Sequence, residues 1–362
     1  MKMHKVSGLF IALLFVAVQV IVACGKAPQG TSPLGALSEP PQGFRQAAPG
    51  MKVRLPQDMG AHPEYRLEWW YLTANLQSPD GKRFGVQWTL FRNGIQPGPY
   101  ADDQPGWHRN EIWLAHAALS RPNDHRFADR AARGGTGQAD VTTQPFSAWI
   151  DHWKLESVSD NTWTLRVDGA NFRYHLQLAP VLPVVLNGDR GFSAKSAEGG
   201  GSMYFSYPLK ITGGDIEIDG EKFSVSGQGW FDREWSSQYL RSDEEGWDWM
   251  ALHLEDGRHL MVFRVRGEED FYSATLVSEE GRSQSLSMED FSLEPKEYRS
   301  TRLGDVPVTW QLRVPEAAIE LQIQSWPGDY WNPGAMRYWE GPVTVSGSHK
   351  GEGYLEMTGY ER

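Results

Sequence analysis

The strongest constraint in this chain is a period of two. Phe84, Val86, Trp88 and Leu90 alternate with Gly85, Gln87, Thr89 and Phe91. Phe172, Tyr174, Leu176 and Leu178 alternate with Arg173, His175 and Gln177, and Val308, Trp310, Leu312 and Val314 with Thr309, Gln311 and Arg313. Side chains two apart share one face of an extended chain, so each run predicts a β-strand. The dipeptides Asp80-Gly81, Asn187-Gly188, Asp219-Gly220 and Asp256-Gly257 supply the positive φ of tight turns. Trp247–Leu254 and His259–Arg266 read as a hairpin around Glu255-Asp256-Gly257-Arg258. No long stretch carries a helical stripe, so the pattern predicts an all-β sandwich or barrel. Asp102–Arg109 and Asn123–Gly137 read as loops.

Composition narrows the partners. Of 362 residues, 40 % are hydrophobic, enough for a real core. The formal charge is −11, which makes nucleic acid an unsuitable partner. Sixteen Trp suit strands and an aromatic binding groove. An echo runs through the chain: Glu68-Trp69-Trp70-Tyr71, then Asp232-Arg233-Glu234-Trp235, then Tyr338-Trp339-Glu340-Gly341. Each sets a carboxylate beside Trp, which fits two barrel-like halves.

The N-terminus reads as an address. Lys2 and Lys5 precede the apolar run Leu9–Ala23, which is shorter than the ~20 residues of a membrane span and fits a signal-peptide core. It ends Ile21-Val22-Ala23-Cys24, which resembles a bacterial lipobox, and Cys24 is the one cysteine of the chain. Residues 1–23 are thus expected to be a lipoprotein signal peptide, and Cys24 the lipidation site and membrane anchor. The alternative is an ordinary secretory signal with an incidental cysteine. Gly25, rather than Asp, points to the outer membrane facing the periplasm. Residues 24–50, rich in Gly, Pro, Ser, Ala and Gln, read as a flexible tether.

The motifs of the body resemble those of the AttH/carotenoid 1,2-hydratase (CrtC) family. They run Gly60-Ala61-His62-Pro63, Glu68-Trp69-Trp70-Tyr71-Leu72, Phe84-Gly85-Val86-Gln87, Phe91-Arg92 and Ala115-His116. Gly191-Phe192-Ser193-Ala194-Lys195, Tyr204-Phe205-Ser206, Gly229-Trp230-Phe231-Asp232-Arg233-Glu234-Trp235, Gly246-Trp247-Asp248-Trp249 and Tyr338-Trp339-Glu340-Gly341 follow. The resemblance covers nearly all of residues 51–362. It implies two lipocalin-like (calycin) antiparallel β-barrels packed side by side, here bounded as 51–237 and 238–362. It also implies cofactor-independent hydration or isomerisation of a lipophilic polyunsaturated substrate. Many bacterial members are lipoproteins, some encoded near transport permeases, so a permease is a further partner the resemblance suggests. One departure stands out: the carotenoid hydratases carry His directly before the Glu-Trp pair, where this chain has Arg233. Arginine does not titrate near neutral pH.

Hydrating an unactivated alkene needs a proton donor, a stabilised cation and a directed water. Asp232 and Glu234 lie i, i+2 and share a strand face with Trp230, while Arg233 and Trp235 take the other. Two carboxyls on one face raise each other's pKa, so Asp232 and Glu234 are the candidate catalytic residues. The alternative is that one of them pairs with Arg233 or another Arg and closes a barrel end. Trp230, Trp235, Glu68, Trp70, Tyr204, Trp247 and Trp249 are the candidate ligand-binding residues, and core packing is the alternative for each. His253, His116 and His62 read as structural histidines. The chain has no Gly-x-Ser-x-Gly elbow, no His-Glu-x-x-His and no phosphate-binding Gly loop followed by Lys-Ser/Thr, so no metal or cofactor is expected. Two functions lead, a hydratase-like enzyme or a non-catalytic lipocalin-type carrier of a hydrophobic ligand serving a membrane transporter, with a structural or adhesion role as the remaining alternative.

Overall fold

The computed structural model describes residues 42–361, apart from 99–105, 107–108 and positions 160, 198, 239, 242 and 335. The signal peptide, Cys24, nearly all of the tether and most of the Asp102–Arg109 segment lie outside the described residues.

Two antiparallel sheets make up the body. The first contains β1 (Leu67–Gln77), β2 (Arg83–Gly94), β3 (Glu111–Arg121), β4 (Asp124–Arg133), β5 (Ala139–Thr143), β6 (Phe146–Ile150), β7 (Trp153–Ser159), β8 (Thr162–Asp168), β9 (Phe172–Pro180), β10 (Val185–Leu186), β11 (Phe192–Ala194), β12 (Gly201–Ile218), β13 (Glu221–Ser224) and β14 (Ser226–Ser236). The second contains β15 (Gly246–Leu254), β16 (His259–Arg266), β17 (Phe271–Val277), β18 (Ser283–Leu286), β19 (Ser292–Ser300), β20 (Asp305–Val314), β21 (Ile319–Ser325), β22 (Trp331–Asn332), β23 (Tyr338–Gly347) and β24 (Gly351–Met357). The main path of the first is β4-β3-β2-β1-β14-β12-β9-β8-β7-β6-β5, and of the second β18-β17-β16-β15-β24-β23-β21-β20-β19. The first curls into a near-barrel and the second into a half-barrel, giving the all-β, lipocalin-like pair that the motifs imply. Among the described residues there is no α-helix.

Alternation survives where one face meets water and fades where both are covered. In β9, Phe172, Tyr174, Leu176 and Leu178 are buried while Arg173, His175 and Gln177 are exposed. In β1 nearly every residue is buried, and in β14 every residue from Gly229 to Ser236. One face of β1 (Trp70, Leu72, Ala74, Leu76) fills the first barrel, and the other carries Tyr71 toward the second half. A strand covered on both faces reads as a near-continuous apolar run. The two halves meet through Tyr71, Tyr204, Trp230, Leu240, Trp249, Ala251, Met261, Phe263, Val265 and Tyr354. Asn75 Nδ2 donates across this boundary to the Gly353 carbonyl at 3.0 Å. Gly85 is required there: a Cβ would stand 2.2 Å from a Pro342 carbon and 2.4 Å from the Tyr354 hydroxyl. The Asp219-Gly220 turn, with φ of 53° and 84°, joins β12 to β13.

Two expectations need correction. Asn123–Gly137 is not a loop: Asp124–Arg133 forms β4, paired along its length with β3. It is an edge strand, and the Arg and Asp residues that keep such an edge from pairing with another chain give it the composition of a loop. The carboxylate–Trp echo does not mark equivalent points of two halves. Its first two members are neighbours in one sheet, with Trp69 opposite Glu234 and Tyr71 opposite Asp232.

Candidate functional site

A cavity of about 340 Å³ lies between the two halves. Its walls are mostly apolar, from Trp69, Tyr71, Phe91, Leu114, Trp247, Trp249, Phe263 and Val265. The polar groups that reach it include Asp232 and Glu234 from β14, Lys195 from the turn after β11, and Glu356 from β24.

The i, i+2 spacing of β14 puts Asp232 and Glu234 at the cavity. Asp232 accepts three hydrogen bonds: Tyr204 Oη to Oδ2 at 2.7 Å, Ser206 Oγ to Oδ1 at 2.5 Å, and Trp230 Nε1 to Oδ1 at 2.6 Å. The donors are committed. Trp249 Nε1 donates to the Tyr204 oxygen at 3.0 Å and Asn187 Nδ2 to the Ser206 oxygen at 2.8 Å, which turns both hydroxyl protons toward Asp232. Burial outweighs these bonds, and with the neighbouring Glu234 pushes the Asp232 carboxyl up to about 7. Glu234 accepts from Ser202 Oγ and pairs with Lys195 Nζ at 2.9 Å. The Lys195 ammonium also sits 4.1 Å from the Phe263 ring centroid.

The second half contributes a carboxyl pair. Glu340 on β23 and Glu356 on β24 are direct cross-strand partners. Trp247 Nε1 donates to Glu356 Oε1 at 2.6 Å. Tyr71 Oη donates to Glu340 Oε1 at 2.6 Å, and Asn332 Nδ2 to its Oε2 at 3.2 Å. Burial, reinforced by Glu234, pushes the Glu356 carboxyl up to about 7. Burial and the neighbouring Glu356 push Glu340 well above the carboxylate range. His116, on the wall beside Tyr338, is held neutral by burial, which lowers its pKa to about 4.

Arg233 takes the opposite face of β14. It pairs with Glu68, donates to the Gly60 carbonyl at 2.5 Å, and lies 3.9 Å from the Trp70 ring centroid. Burial alone would raise the Glu68 carboxyl. Arg233 and Arg92 outweigh it and hold that group below its ordinary range. Glu68 therefore edges the cavity as a satisfied ion, with Arg92 at 2.9 Å on its other oxygen.

The candidates from sequence thus divide. Asp232, Glu234, Glu68, Trp247 and Trp249 line the cavity, and Tyr204 and Trp230 support Asp232 from behind. Trp70 and Trp235 lie in the first barrel's core: Trp70 is stacked on Trp113, and Trp235 on His62 at 4.2 Å. Sequence reasoning did not select Glu356, Tyr71 or Lys195 as site residues. The one signal for Glu356 is an acid set between the apolar residues Leu355 and Met357. Among the described residues no three His, Cys, Asp or Glu side chains gather as metal ligands, and no helix is long and apolar enough to cross a membrane.

Fold and site together define a lipocalin-like near-barrel joined to a half-barrel, with an acid-lined, mostly apolar cavity at the junction. The chain belongs to the AttH-like family, whose sequence profile matches residues 46–360. An AttH protein from Nitrosomonas europaea is 33 % identical, with a TM-score of 0.77 over 88 % of this chain and 100 % of its own. Kievitone hydratase from Nectria haematococca shares the fold at 14 % identity, with a TM-score of 0.64 over 90 % of this chain and 97 % of its own. No curated protein sequence matches significantly.

Proposed function

We propose that the protein is a cofactor-independent hydratase-like enzyme for a lipophilic unsaturated substrate bound between the two halves. The observation that carries this reading is the pair of cavity carboxyls, Asp232 and Glu356, which burial holds near pKa 7 inside an aromatic wall. A carboxyl so tuned can deliver a proton near neutral pH. Trp and Tyr faces can stabilise the carbocation that results. Glu234, fixed by Lys195 and Ser202, can orient the attacking water. Family membership supports the reading, and the hydratase of like fold is consistent with it. The cavity lies at the small end of ligand pockets, about 300–1,000 Å³, which favours a prenyl-sized reacting portion over a whole long polyene.

The test is incubation with a prenylated phenol and mass spectrometry for the tertiary alcohol. Wild type should form it. Glu234→Gln should not, while still binding the probe with unchanged melting temperature. Saturable binding with no turnover in wild type would instead establish a carrier, for which a transport permease is the natural partner.

We further propose that the chain is a lipoprotein of the bacterial envelope, anchored through Cys24, with the outer membrane favoured by Gly25. The lone cysteine behind a short apolar run supports this. Palmitate labelling should disappear in Cys24→Ser, and label retained there would defeat it.

A further inference from the structure

The cavity carboxyls differ in the company they keep. Three committed donors point at Asp232 and work against the burial that raises it, so of the two raised carboxyls it is the one whose hydrogen bonds suit the ionised form. Among the described residues Glu356 receives one hydrogen bond, from Trp247, and no cation pairs with it. The nearby ammonium of Lys195 is engaged by Glu234. Directly across the ladder from Glu356 stands Glu340, itself buried and held by Tyr71 and Asn332. Cross-strand partners bring their Cβ atoms to about 4.5–5.5 Å, where two like charges are destabilising. The titratable groups facing this dyad are Glu234 from β14, Tyr71 from β1, Tyr338 from β23 and, against Glu340, Tyr174 from β9 and Tyr354 from β24, none of them positive. With no cation to offset a charge on either member, burial keeps both carboxyls of the dyad protonated at pH 6, and Glu356 is the member that opens on the cavity.

We propose that Glu356 is the proton donor of the cavity and that Asp232 is the carboxylate facing the cation. This rests on the hydratase reading and divides its roles. The proton leaves the Glu356 carboxyl as the alkene π pair forms a C–H bond at the less substituted carbon. The cation on the more substituted carbon is faced by the aromatic wall and by Asp232. A water lone pair then forms the C–O bond, and the excess water proton passes to Asp232. Exchange with solvent returns a proton to Glu356 and removes one from Asp232, so the net reaction adds one water to one double bond.

Two readouts on the full-length protein test this. The first is infrared difference spectroscopy of the protonated-carboxyl carbonyl band at pH 6, comparing wild type with Glu356→Gln and Asp232→Asn. The second is deuterium uptake at the alkene carbon of a prenylated phenol in deuterium oxide. Glu356→Gln should lose one protonated-carboxyl band, and uptake should fall about a hundredfold or more, the usual worth of a general acid. Asp232→Asn should keep that band. Glu356→Asp, which retains a carboxyl on a shorter arm, should keep a band and lose uptake. The band vanishing with Asp232→Asn and surviving Glu356→Gln would overturn the assignment. A band that follows Glu356 with no uptake by wild type would support the protonation state and overturn the hydratase reading.

Discussion

Arg233 pairs with Glu68 across β14 and β1, on the strand face opposite the two carboxyls that flank it in sequence. The residue standing where the carotenoid hydratases have His thus points into the first barrel, away from the wall that holds Asp232 and Glu234. The pair is fully buried, and Arg92 and His62 complete it.

Arg233→Met should therefore destabilise the protein by about 3 kcal/mol, the low end for breaking a buried pair, because Arg92 still compensates Glu68. Denaturant unfolding measures this. Probe binding in the cavity should persist. Unchanged stability with lost binding would mean that Arg233 acts on the cavity after all. The same pair sets an acid limit. Folding lowers the Glu68 pKa, so its contribution is present above the ordinary carboxyl value of 4.5 and is lost as pH falls below it.

Glu356 has the opposite sign. Folding raises its pKa from 4.5 to about 7, so across that window the unfolded chain gives up the proton first and stability falls as pH rises. Glu356→Gln lacks this liability. Melting curves should show the variant gaining on wild type from pH 4.5 to 7, by up to about 3 kcal/mol, and then running parallel. A difference that stays constant through the window would show that Glu356 titrates normally.

Which of these features the sequence reveals depends on how local their causes are. β9 and the four Asx-Gly turns are legible because one solvent-facing side and a positive φ are local properties. So is the shared face of Asp232 and Glu234, which needs only the strand period. β4 is illegible because an edge strand guarded by charge has a loop's composition. Glu356 is illegible because its character comes from burial at the junction and from Glu234, far away in the chain, and that proximity is set by how the two halves meet. Trp235 and Trp249 look alike in sequence, and only tertiary packing sends one into the first barrel's core and the other to the cavity wall.

That last division is measurable. A conjugated prenylated phenol should quench Trp fluorescence saturably, and Trp249→Phe should remove much of the quenching. Trp235→Phe should leave the quenching nearly intact and lower the melting temperature, since it disturbs the stack with His62. Equal losses of quenching in both variants would place the ligand inside the first barrel rather than at the junction.

The central claim is that water is added to a double bond in the cavity between the two halves. The most direct measurement is mass spectrometry of a prenylated phenol after incubation with wild type in deuterium oxide. The account predicts a tertiary alcohol carrying one deuterium on the adjacent carbon, with none formed by Glu356→Gln. Unaltered, unlabelled alkene recovered from a saturable complex with wild type would contradict it.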